Sequence, residues 1–511
     1  MYKIIALLGL IIGLAACSEK AKRSVQVPDE DFCALIHTND TVSIEEKLSP
    51  FKNRMKDSTG VYVLEEGDVA MISRAWISEH AVQSIDIQYF IFSMDNVGLI
   101  ALDYLLNAAD RGVKVRVLVD DIMVDANPND LLAFDQHPNI DIKVYNPQLN
   151  IGKNWDDQLT GLVTDFKGVN QRMHNKTFIV DNQVAITGGR NIADEYFDYD
   201  HEYNFRDRDI LLIGKEVKTM QQSFEEFWSH SLSIDVEHLV VLDELEMIDT
   251  NILFPYIHQY ACNPYNYWPQ VRDKVKGIPQ AFDSLISNNE LVWLDKVQFI
   301  TDVPGKNENE DLEGGGITTD SLVALVQRAQ KSIYIQSPYL VTTEKARNLF
   351  QSKTDGGITV SILTNSLCST DNLDAFNGYQ RDREALLNAG VEIFEYKPDA
   401  QIRKQIMTGE LQNTIDFAPI FGLHAKSMVI DERIVVIGTF NLDPRSANLN
   451  TECFVVLESE SIAQKMLSLM MLELEEENAW KVTSEFNADS EAEWTKRLNT
   501  WWRTIVPKSI L

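Results

Sequence analysis

Short runs in which hydrophobic and polar residues alternate follow helical stretches in this chain, and the same order occurs twice. In the first half, a helical stretch at 75–82 leads into an alternating run at 84–88. In the second half, the stretch at 322–330 leads into a similar run at 332–336, which lies 248 positions later. Alternation with a period of two is typical of a β-strand. The pattern therefore predicts a repeated helix–strand unit.

A second pair of segments follows the first pair. A glycine precedes alternating apolar residues at 112–119, and two glycines open a similar run at 356–364. Both segments have the features of a helix that ends at glycine and leads into a strand. Helices that alternate with strands predict α/β units around a largely parallel or mixed sheet, and the repetition predicts an internal duplication. We place the two lobes at 60–250 and 316–511, with a connector at 251–315.

Composition narrows the class of protein further. The chain has 511 residues, of which 44% are hydrophobic and 24% are charged. This excludes a disordered chain and a small disulfide scaffold, because there is ample apolar material for a core. The net charge of −31 repels polyanions over much of the surface. We therefore expect no nucleic-acid partner.

The N-terminus has the features of a targeting segment. An apolar run that ends at Cys17 is too short to cross a bilayer comfortably and has the form of a signal-peptide core. The small residues just before Cys17 resemble a bacterial lipobox, in which the peptide is cut before the cysteine and the thiol is lipidated. We predict a lipoprotein signal peptide at 1–17, lipidation of Cys17, and an N-terminal tether at 18–59.

These features predict a protein of the bacterial cell envelope, anchored by lipid on the periplasmic side. The choice between inner and outer membrane stays open. A plain secretory signal with an incidental cysteine, or a short membrane anchor, is the alternative. The other cysteines (Cys33, Cys262, Cys368 and Cys453) lack metal-ligand spacing, and we predict buried free thiols, although an oxidising periplasm would permit disulfides.

Each half contains one copy of a dense polar motif, and the copies match at a spacing of 250 residues. The shared residue types are histidine, lysine, aspartate and asparagine, in the order His174, Lys176, Asp181 and Asn191 in the first copy and His424, Lys426, Asp431 and Asn441 in the second. A single histidine two residues before a lysine is common by chance. Two extended copies in register indicate a functional site rather than a pair of structural histidines.

The chemistry of these residues suits phosphoryl transfer. Residues i and i+2 of a strand share a face, so the histidine and lysine of each copy project together. Lysine and asparagine donate to phosphate oxygens, and two histidines suit a double displacement in which one attacks phosphorus and the other protonates the leaving oxygen. No carboxylate-rich constellation points to a metal, and we expect neither a metal nor another cofactor.

The paired motif resembles the phospholipase D superfamily, and its surroundings resemble the cardiolipin synthase C branch. The segments that carry this resemblance, over roughly residues 60 to 511, are 87–92, 108–113, 188–197, 364–367 and 441–446. The resemblance implies two phospholipase D-like α/β/α lobes related by internal duplication, with the active site at the lobe interface.

The resemblance also implies a mechanism. One histidine carries the phosphatidyl group as a phosphohistidine, and we assign this role to His174, with His424 as general acid and then base. The motif lysines and asparagines would hold the phosphate.

A carboxylate after each motif would steady an imidazole through its second nitrogen. Glu452 fits this role in the second half, and Asp207 fits it in the first half with Glu202 as a competitor. Asp181 and Asp431 would brace the motif lysine or the turn. Asn377 departs from the histidine that related sequences usually carry before Gly-Tyr.

The expected function is phosphatidyl transfer, most directly cardiolipin synthesis from phosphatidylglycerol with a second phospholipid or an alcohol. Phosphatidylethanolamine is a second candidate substrate, and a membrane surface is the expected partner. The alternatives are a phospholipase D that releases phosphatidic acid, a phosphodiesterase or nuclease of the same superfamily, and a non-catalytic scaffold.

A final segment, near the C-terminus, is rich in tryptophan and arginine. It contains Trp494, Trp501, Trp502, Arg497 and Arg503. Two interpretations remain open for it: a packed terminal helix, or an interfacial element against lipid headgroups.

Overall fold

A computed structural model describes residues 31–37, 42–121, 128–148, 171–239, 248–306, 314–407 and 419–503. The predicted signal peptide and Cys17 lie outside these residues. The helices are α1 Phe32–Ile36, α2 Ile44–Leu48, α3 Gly67–Glu79, α4 Asn96–Asp110, α5 Pro128–Asp135, α6 Val217–Ser229, α7 Thr250–Ala261, α8 Pro269–Val275, α9 Ala281–Ser287, α10 Ile317–Arg328, α11 Glu344–Asp355, α12 Leu373–Asn388, α13 Arg403–Ile406, α14 Pro444–Asn448, α15 Glu460–Glu473 and α16 Trp494–Trp502.

The strands of the described residues form two large sheets and one small one. They are β1 Thr59–Leu64, β2 Ser84–Tyr89, β3 Lys114–Asp120, β4 Ile140–Tyr145, β5 Thr177–Val180, β6 Val184–Gly188, β7 Tyr203–Arg206, β8 Asp209–Gly214, β9 Ser233–Asp235, β10 Val292–Leu294, β11 Val297–Thr301, β12 Ser332–Gln336, β13 Thr359–Asn365, β14 Glu392–Tyr396, β15 Ile420–Leu423, β16 Lys426–Ile430, β17 Ile434–Gly438, β18 Cys453–Glu458 and β19 Ala479–Lys481.

The two large sheets share one topology. The first has the order β10-β1-β8-β6-β5-β2-β3-β4-β9, and the second has the order β11-β18-β17-β16-β12-β13-β14-β19. Apart from the edge strand β10, each strand of the first sheet has a counterpart at the same position in the second. In both sheets three neighbouring strands are parallel, β2-β3-β4 and β12-β13-β14, and the other pairs are antiparallel. The predicted duplication and mixed sheet are confirmed.

Each motif strand belongs to a tight antiparallel hairpin, β5–β6 in the first lobe and β16–β17 in the second. Their turns place two consecutive residues in the left-handed region, Asp181 and Asn182 in one and Asp431 and Glu432 in the other. Such turns match the right-handed twist of the strands, and short polar residues tolerate this conformation best. The turn therefore explains why an aspartate ends both motif strands.

The two lobes bury a common hydrophobic core between their sheets. Ile179, Ala185 and Leu212 of the first lobe belong to the same buried cluster as Val435 and Val455 of the second. A short parallel sheet made of β7 and β15 also crosses from one lobe to the other. The lobes are thus packed as one body around a continuous apolar interface.

The described part of the predicted tether packs against the first lobe from Phe32 onward. Phe32 and Ile36 of α1, and Ile44 and Leu48 of α2, are buried in the main core of that lobe. The boundary predicted at residue 60 lies later than this, because periodicity is hard to detect in helices of only five residues.

The prediction of free thiols is wrong for two cysteines. Cys33 of α1 forms a disulfide with Cys262, which follows α7, across 229 residues of sequence. Cys368 and Cys453 are free thiols. Sequence spacing does not reveal such a pair, because the two cysteines meet only when α1 docks beside α7.

The connector predicted at 251–315 contributes to both lobes. Helices α7 to α9 pack on the first lobe, strand β10 pairs with β1, and strand β11 pairs with β18 of the second sheet. The chain thus crosses from one sheet to the other between Leu294 and Val297. Among the described residues, we find no helix with the length and apolar character needed to cross a bilayer.

Candidate active site

Each motif histidine is held in place by the backbone of the other lobe. The His174 amide donates to the Thr451 carbonyl (3.0 Å), and Met173 forms an isolated parallel bridge with Thr451. The His424 amide donates to the Arg206 carbonyl (2.8 Å). Both imidazoles are buried at the interface of the lobes. Each motif therefore takes its position from contacts across the duplication.

The carboxylates that hold the imidazoles are exchanged between the lobes. Nδ1 of His174 lies 2.9 and 3.1 Å from the two carboxylate oxygens of Glu452 in the second lobe. Nδ1 of His424 lies 2.6 Å from Oδ2 of Asp207 in the first lobe. A carboxylate only accepts, so Nδ1 of each ring carries the hydrogen and Nε2 keeps its lone pair. Glu202, the competitor of Asp207, is exposed.

Both carboxylates are buried and are themselves held by hydrogen bonds. Glu452 accepts from the hydroxyl groups of Ser446 (2.7 Å) and Thr439. Asp207 accepts from the Arg208 amide (2.7 Å). Burial alone would raise the pKa of both acids, but the facing histidine and the nearby lysines outweigh burial and lower the pKa of each. Both groups are therefore charged partners of the imidazoles.

The two motif lysines are buried beside their histidines. Nζ of Lys176 donates to the His174 carbonyl (2.9 Å), and Nζ of Lys426 donates to the His424 carbonyl (2.6 Å). Burial lowers the pKa of Lys176 to about 8 and that of Lys426 to about 7. Each lysine also acts electrostatically on the histidine of the other lobe. The two motifs thus form one electrostatic site.

Both imidazoles are neutral at neutral pH. Burial lowers the pKa of His174 to about 4, with Lys176 adding to the effect and Glu452 opposing it. Burial, followed by Lys426, lowers the pKa of His424 to about 3. A neutral imidazole with Nδ1–H bound to a carboxylate presents a nucleophilic lone pair at Nε2. The arrangement therefore offers two nitrogen bases, each with a lysine beside it.

Asp181 and Asp431 lie at the other end of the motif strands. Asp181 accepts from three successive backbone amides, those of residues 82–84, at 2.8 to 3.3 Å. Asp431 accepts from the amides of residues 330–332 at 2.7 to 3.2 Å. Each carboxylate holds the turn that precedes the neighbouring parallel strand. These two residues therefore brace the fold, and the structure does not bring them to the imidazoles.

Comparison with known proteins agrees with this geometry. The family model described as "Cardiolipin synthase, PLD-like domain" matches residues 77–228 and again residues 322–471. The chain is 32% identical to cardiolipin synthase C of Escherichia coli K12 over 441 residues, which cover 85% of this chain and 88% of that protein. This chain belongs to the phospholipase D-like family of cardiolipin synthases. It is an enzyme of the phospholipase D type, as its resemblance to the family predicted.

Two further relatives extend the comparison. An uncharacterised protein of Helicobacter pylori J99 is 32% identical over 419 residues, which cover 81% of this chain and 79% of that protein. The crystal structure of phosphatidylserine synthase from Haemophilus influenzae Rd KW20 superposes with a TM-score of 0.56 at 13% identity, over 91% of this chain and all of that one. At this identity the superposition shows a shared fold.

The two motif asparagines have different surroundings in this phospholipase D-type site. Oδ1 of Asn191 accepts from the Ile91 amide (3.0 Å), and its side chain also bonds Tyr196. Oδ1 of Asn441 is buried and has no hydrogen-bond partner among the described residues. A buried amide without a partner for one of its atoms is costly unless a ligand completes it. Asn441 thus has an acceptor position left for a donor, such as a hydroxyl group, rather than for a phosphate oxygen.

Aromatic rings that the sequence analysis did not assign to the site enclose both imidazoles. Phe90 lies edge-on to His174 with ring centroids 5.0 Å apart. Tyr196 lies edge-on to His424 (5.1 Å), and Phe205 lies 4.7 Å from it. Phe90 and Tyr196 belong to segments that carry the family resemblance, and this was the available signal. The rings exclude water and so strengthen the electrostatic interactions around the imidazoles.

An ionic network joins the lobes next to the site. Arg206 of β7 contacts Glu473 of the second lobe (2.5 Å) and Glu65 of the first (2.7 Å). Arg208 contacts Glu65 (2.8 Å) and donates to Gln336 of the second lobe (2.7 Å). Both guanidinium groups are buried. Because Arg206 and Arg208 lie on either side of Asp207 in the sequence, their contacts hold Asp207 at the interface.

Two groups of side chains have the composition of metal ligands, and both lie away from the motifs. One is Cys33, His258 and Cys262, whose cysteines form the disulfide, and the other is His37, Asp103 and His258. Across the described ranges, neither group includes a residue of the two motifs.

Proposed function

We propose that this protein is a phosphatidyltransferase that makes cardiolipin from phosphatidylglycerol and a second phospholipid or alcohol. Membership of the cardiolipin synthase family supports the class of reaction, and the identity to cardiolipin synthase C supports the product. Phosphatidylethanolamine is the second candidate source of the phosphatidyl group.

The observation that carries the proposal is the exchange of carboxylates between the lobes. His174 with Glu452, and His424 with Asp207, give two oriented imidazoles at one interface. One imidazole can attack phosphorus while the other serves the oxygen that leaves. A protein that used its motifs only for structure would have no need of two buried lysines beside them.

In the first half-reaction, Nε2 of His174 attacks the phosphorus of the phospholipid. The N–P bond forms, the P–O bond to the headgroup breaks, and His424 gives its proton to the departing alcohol. A phosphodiester brings a negative charge into the site, which raises the pKa of His424 and favours the imidazolium that donates. Lys176 and Lys426 hold the phosphate oxygens as cations for the same reason.

In the second half-reaction, His424 removes the proton from the hydroxyl group of the acceptor. That oxygen attacks phosphorus, the N–P bond breaks, and His174 is regenerated. The assignment of His174 as nucleophile follows the resemblance to the phospholipase D superfamily, in which the N-terminal histidine more often carries the phosphatidyl group.

Lipid mass spectrometry of the purified full-length protein tests the reaction. We expect cardiolipin and glycerol from phosphatidylglycerol alone, and cardiolipin with free ethanolamine when phosphatidylethanolamine is added. Phosphatidic acid without cardiolipin would contradict the proposal and indicate hydrolysis. Nicking of supercoiled DNA without change in lipids would indicate a nuclease, and no product of either kind would indicate a scaffold.

We also propose that a lipid on Cys17 anchors the enzyme on the periplasmic side of the envelope. The lipobox-like residues before Cys17 support this. Mass spectrometry of the N-terminal peptide from membranes should find a diacylglyceryl cysteine at position 17. An unmodified N-terminus that begins at Met1 or elsewhere would refute the anchor without affecting the catalytic proposal.

A further inference from the structure

Helix α16 (Trp494–Trp502) has its apolar side on the outside. Trp494, Leu498 and Trp502 lie on one side of the helix and are 66%, 46% and 60% exposed. Trp501, 63% exposed, lies edge-on to Trp502 on the same side. An ordinary packed terminal helix would bury these side chains. This side of α16 is therefore not part of the core.

The polar side of α16 faces the protein. Nζ of Lys496 donates to the carbonyls of Cys368 (3.3 Å) and Thr370 (3.0 Å). The Thr500 carbonyl accepts from the side chain of Asn377 (3.1 Å). These contacts bind the helix to α12 and to the loop before it, residues 366–372. The orientation of α16 is thus fixed by specific polar bonds, which leave the tryptophans pointing outward.

This loop connects α16 to the active-site cleft. The Ser369 carbonyl accepts from the hydroxyl group of Tyr203, and Tyr203 lies edge-on to Phe205 (5.0 Å). Phe205 is the ring 4.7 Å from His424. Asp371 of the same loop is exposed, and its charge acts on Lys426. The loop therefore links the helix that carries the exposed tryptophans to the residues that surround His424.

We propose that α16 is an interfacial docking helix that binds the enzyme to an anionic lipid bilayer. The proposal rests on the proposed function, because a phosphatidyltransferase must take its substrate from such a surface. Tryptophan rings favour the boundary between headgroups and acyl chains. Of the three basic residues in 494–503, Lys496 bonds the loop carbonyls and Arg503 pairs with Asp374. Arg497, three residues after Trp494, is exposed. Its charge complements anionic phospholipids.

Lipid quenching tests docking without reference to activity. The full-length protein is mixed with vesicles of phosphatidylglycerol and brominated phosphatidylcholine, and its tryptophan fluorescence is compared with that of the double variant Trp494→Phe, Trp502→Phe. Phenylalanine keeps the apolar side but removes the two fluorophores, so we expect the brominated lipid to quench the wild type more strongly than the variant. Equal fractional quenching of the two proteins would overturn the proposal.

Substrate presentation gives the second test. In the triple variant Trp494→Ser, Leu498→Ser, Trp502→Ser, we expect the apparent KM for vesicle phosphatidylglycerol to rise by about tenfold or more, because burial of three large apolar side chains is lost. Turnover of monomeric short-chain phosphatidylglycerol should stay unchanged. A wild type inactive on both substrates would contradict the proposed function, whereas equal vesicle KM values in wild type and variant would contradict docking alone.

The matched control is the variant Ile252→Ser, Tyr256→Ser. These side chains are 69% and 54% exposed, but they belong to α7, which packs on the first lobe, whereas α16 binds to α12 of the second lobe. We expect their loss to leave the vesicle KM unchanged. A rise as large as that of the α16 variant would mean that general surface hydrophobicity, and not α16, sets binding, and would overturn the proposal.

Two further experiments test whether a second copy of the chain or the C-terminus covers the exposed side of α16. If size-exclusion chromatography shows a wild-type dimer that the serine triple variant converts to a monomer, a second copy covers α16. If replacing the apolar residues of 504–511 by serine increases acrylamide quenching of the lipid-free protein, the C-terminus covers it. Either result would overturn docking on lipid, whereas a monomer with unchanged quenching supports it.

Discussion

Two regions that contain buried histidines have opposite electrostatics in this enzyme. His37, between α1 and α4, lies 2.6 Å from Asp103 and 2.9 Å from Glu79. Burial by itself lowers the pKa of His37, but the hydrogen bonds and charges of the two acids outweigh it and raise the pKa to about 9. His174 and His424 also contact acids, yet burial lowers their pKa values to about 4 and about 3.

The difference shows that a carboxylate partner does not by itself charge a histidine. His37 faces two acids, whereas each motif histidine faces one acid and a lysine two residues further along the strand. The lysine cancels much of the attraction of the acid, and burial then decides the outcome. His37 is thus a cation that fastens the N-terminal helix, and the motif histidines are neutral bases.

The largest effect should follow from removing His174, the proposed nucleophile. We expect His174→Ala to lower the rate of phosphatidyl transfer by about 10⁴-fold, because the proposed mechanism forms the covalent intermediate on this residue. When the substrate carries radiolabelled phosphate, the label should be trapped on the wild-type protein through an acid-labile bond. It should not be trapped on this variant.

The control is His424→Ala, which keeps the nucleophile. It should still trap label from a phosphatidyl ester of p-nitrophenol, because this leaving group departs without the general acid. Label retained by His174→Ala and lost by His424→Ala would exchange the two roles. The unfolding midpoint of both variants should be measured to separate chemistry from folding.

The next largest effect should come from the exchanged carboxylates. We expect Glu452→Gln and Asp207→Asn each to lower turnover by about 10²- to 10³-fold, because an amide no longer holds Nδ1–H and stabilises the wrong tautomer. Glu202→Gln is the matched control, and its exposed side chain should leave turnover unchanged.

The pairing itself can be tested by nuclear magnetic resonance of the imidazole nitrogens. Glu452→Gln should change the Nδ1–H resonance of His174 and leave that of His424 in place, and Asp207→Asn should do the reverse. A change confined to the histidine of the same lobe would contradict the exchange.

The sequence was sufficient to predict the duplicated α/β fold, because periodicity and repetition are local signals. It also predicted which histidines, lysines and supporting carboxylates to consider. It could not predict that Glu452 holds His174 and Asp207 holds His424. The alternation of residues along a strand shows on which face of the sheet a side chain lies, but it does not show which lobe that face packs against. That choice depends on how the two sheets pack.

The contacts around His37 also depend on packing between distant segments, and the sequence did not predict them. Neither the Cys33–Cys262 disulfide nor the contact of His37 with Asp103 follows from spacing, since their partners lie 229 and 66 residues away. Phe90 and Tyr196 were within recognised segments, but an aromatic residue in a strand or turn is more often part of the core than of a site.

A smaller effect, on stability, should come from breaking the disulfide beside His37. We expect the double variant Cys33→Ser, Cys262→Ser to lose about 3 kcal/mol of unfolding free energy, because the unfolded chain regains the freedom of a long loop. Turnover at 25 °C should be nearly unaffected, since the disulfide lies apart from the motifs. Urea unfolding measures the loss, and Cys368→Ser, a free thiol, is the matched control. A loss of equal size in that control would contradict the assignment.

The smallest predicted effect is on the pH dependence of stability, and it distinguishes His37 from the motif histidines. The pKa of His37 is raised from 6.5 to about 9, so its contribution to stability is complete below pH 6.5 and disappears as the pH rises through 9. Because the ion pairs of His37 are partly solvated, we expect this contribution to the unfolding free energy to be about 2 kcal/mol.

The motif histidines should have the opposite effect. Their pKa values are lowered, so the unfolded state binds more protons than the native state below pH 6.5, and stability falls as the pH drops toward 4. Unfolding free energies measured from pH 4 to 10 should therefore decline on both sides of a maximum. His37→Gln should remove the decline between pH 6.5 and 9 and keep the acid side, whereas His174→Gln should reduce only the acid side. If His37→Gln altered the acid side instead, His37 would be neutral in the native state and the two regions would not differ as described.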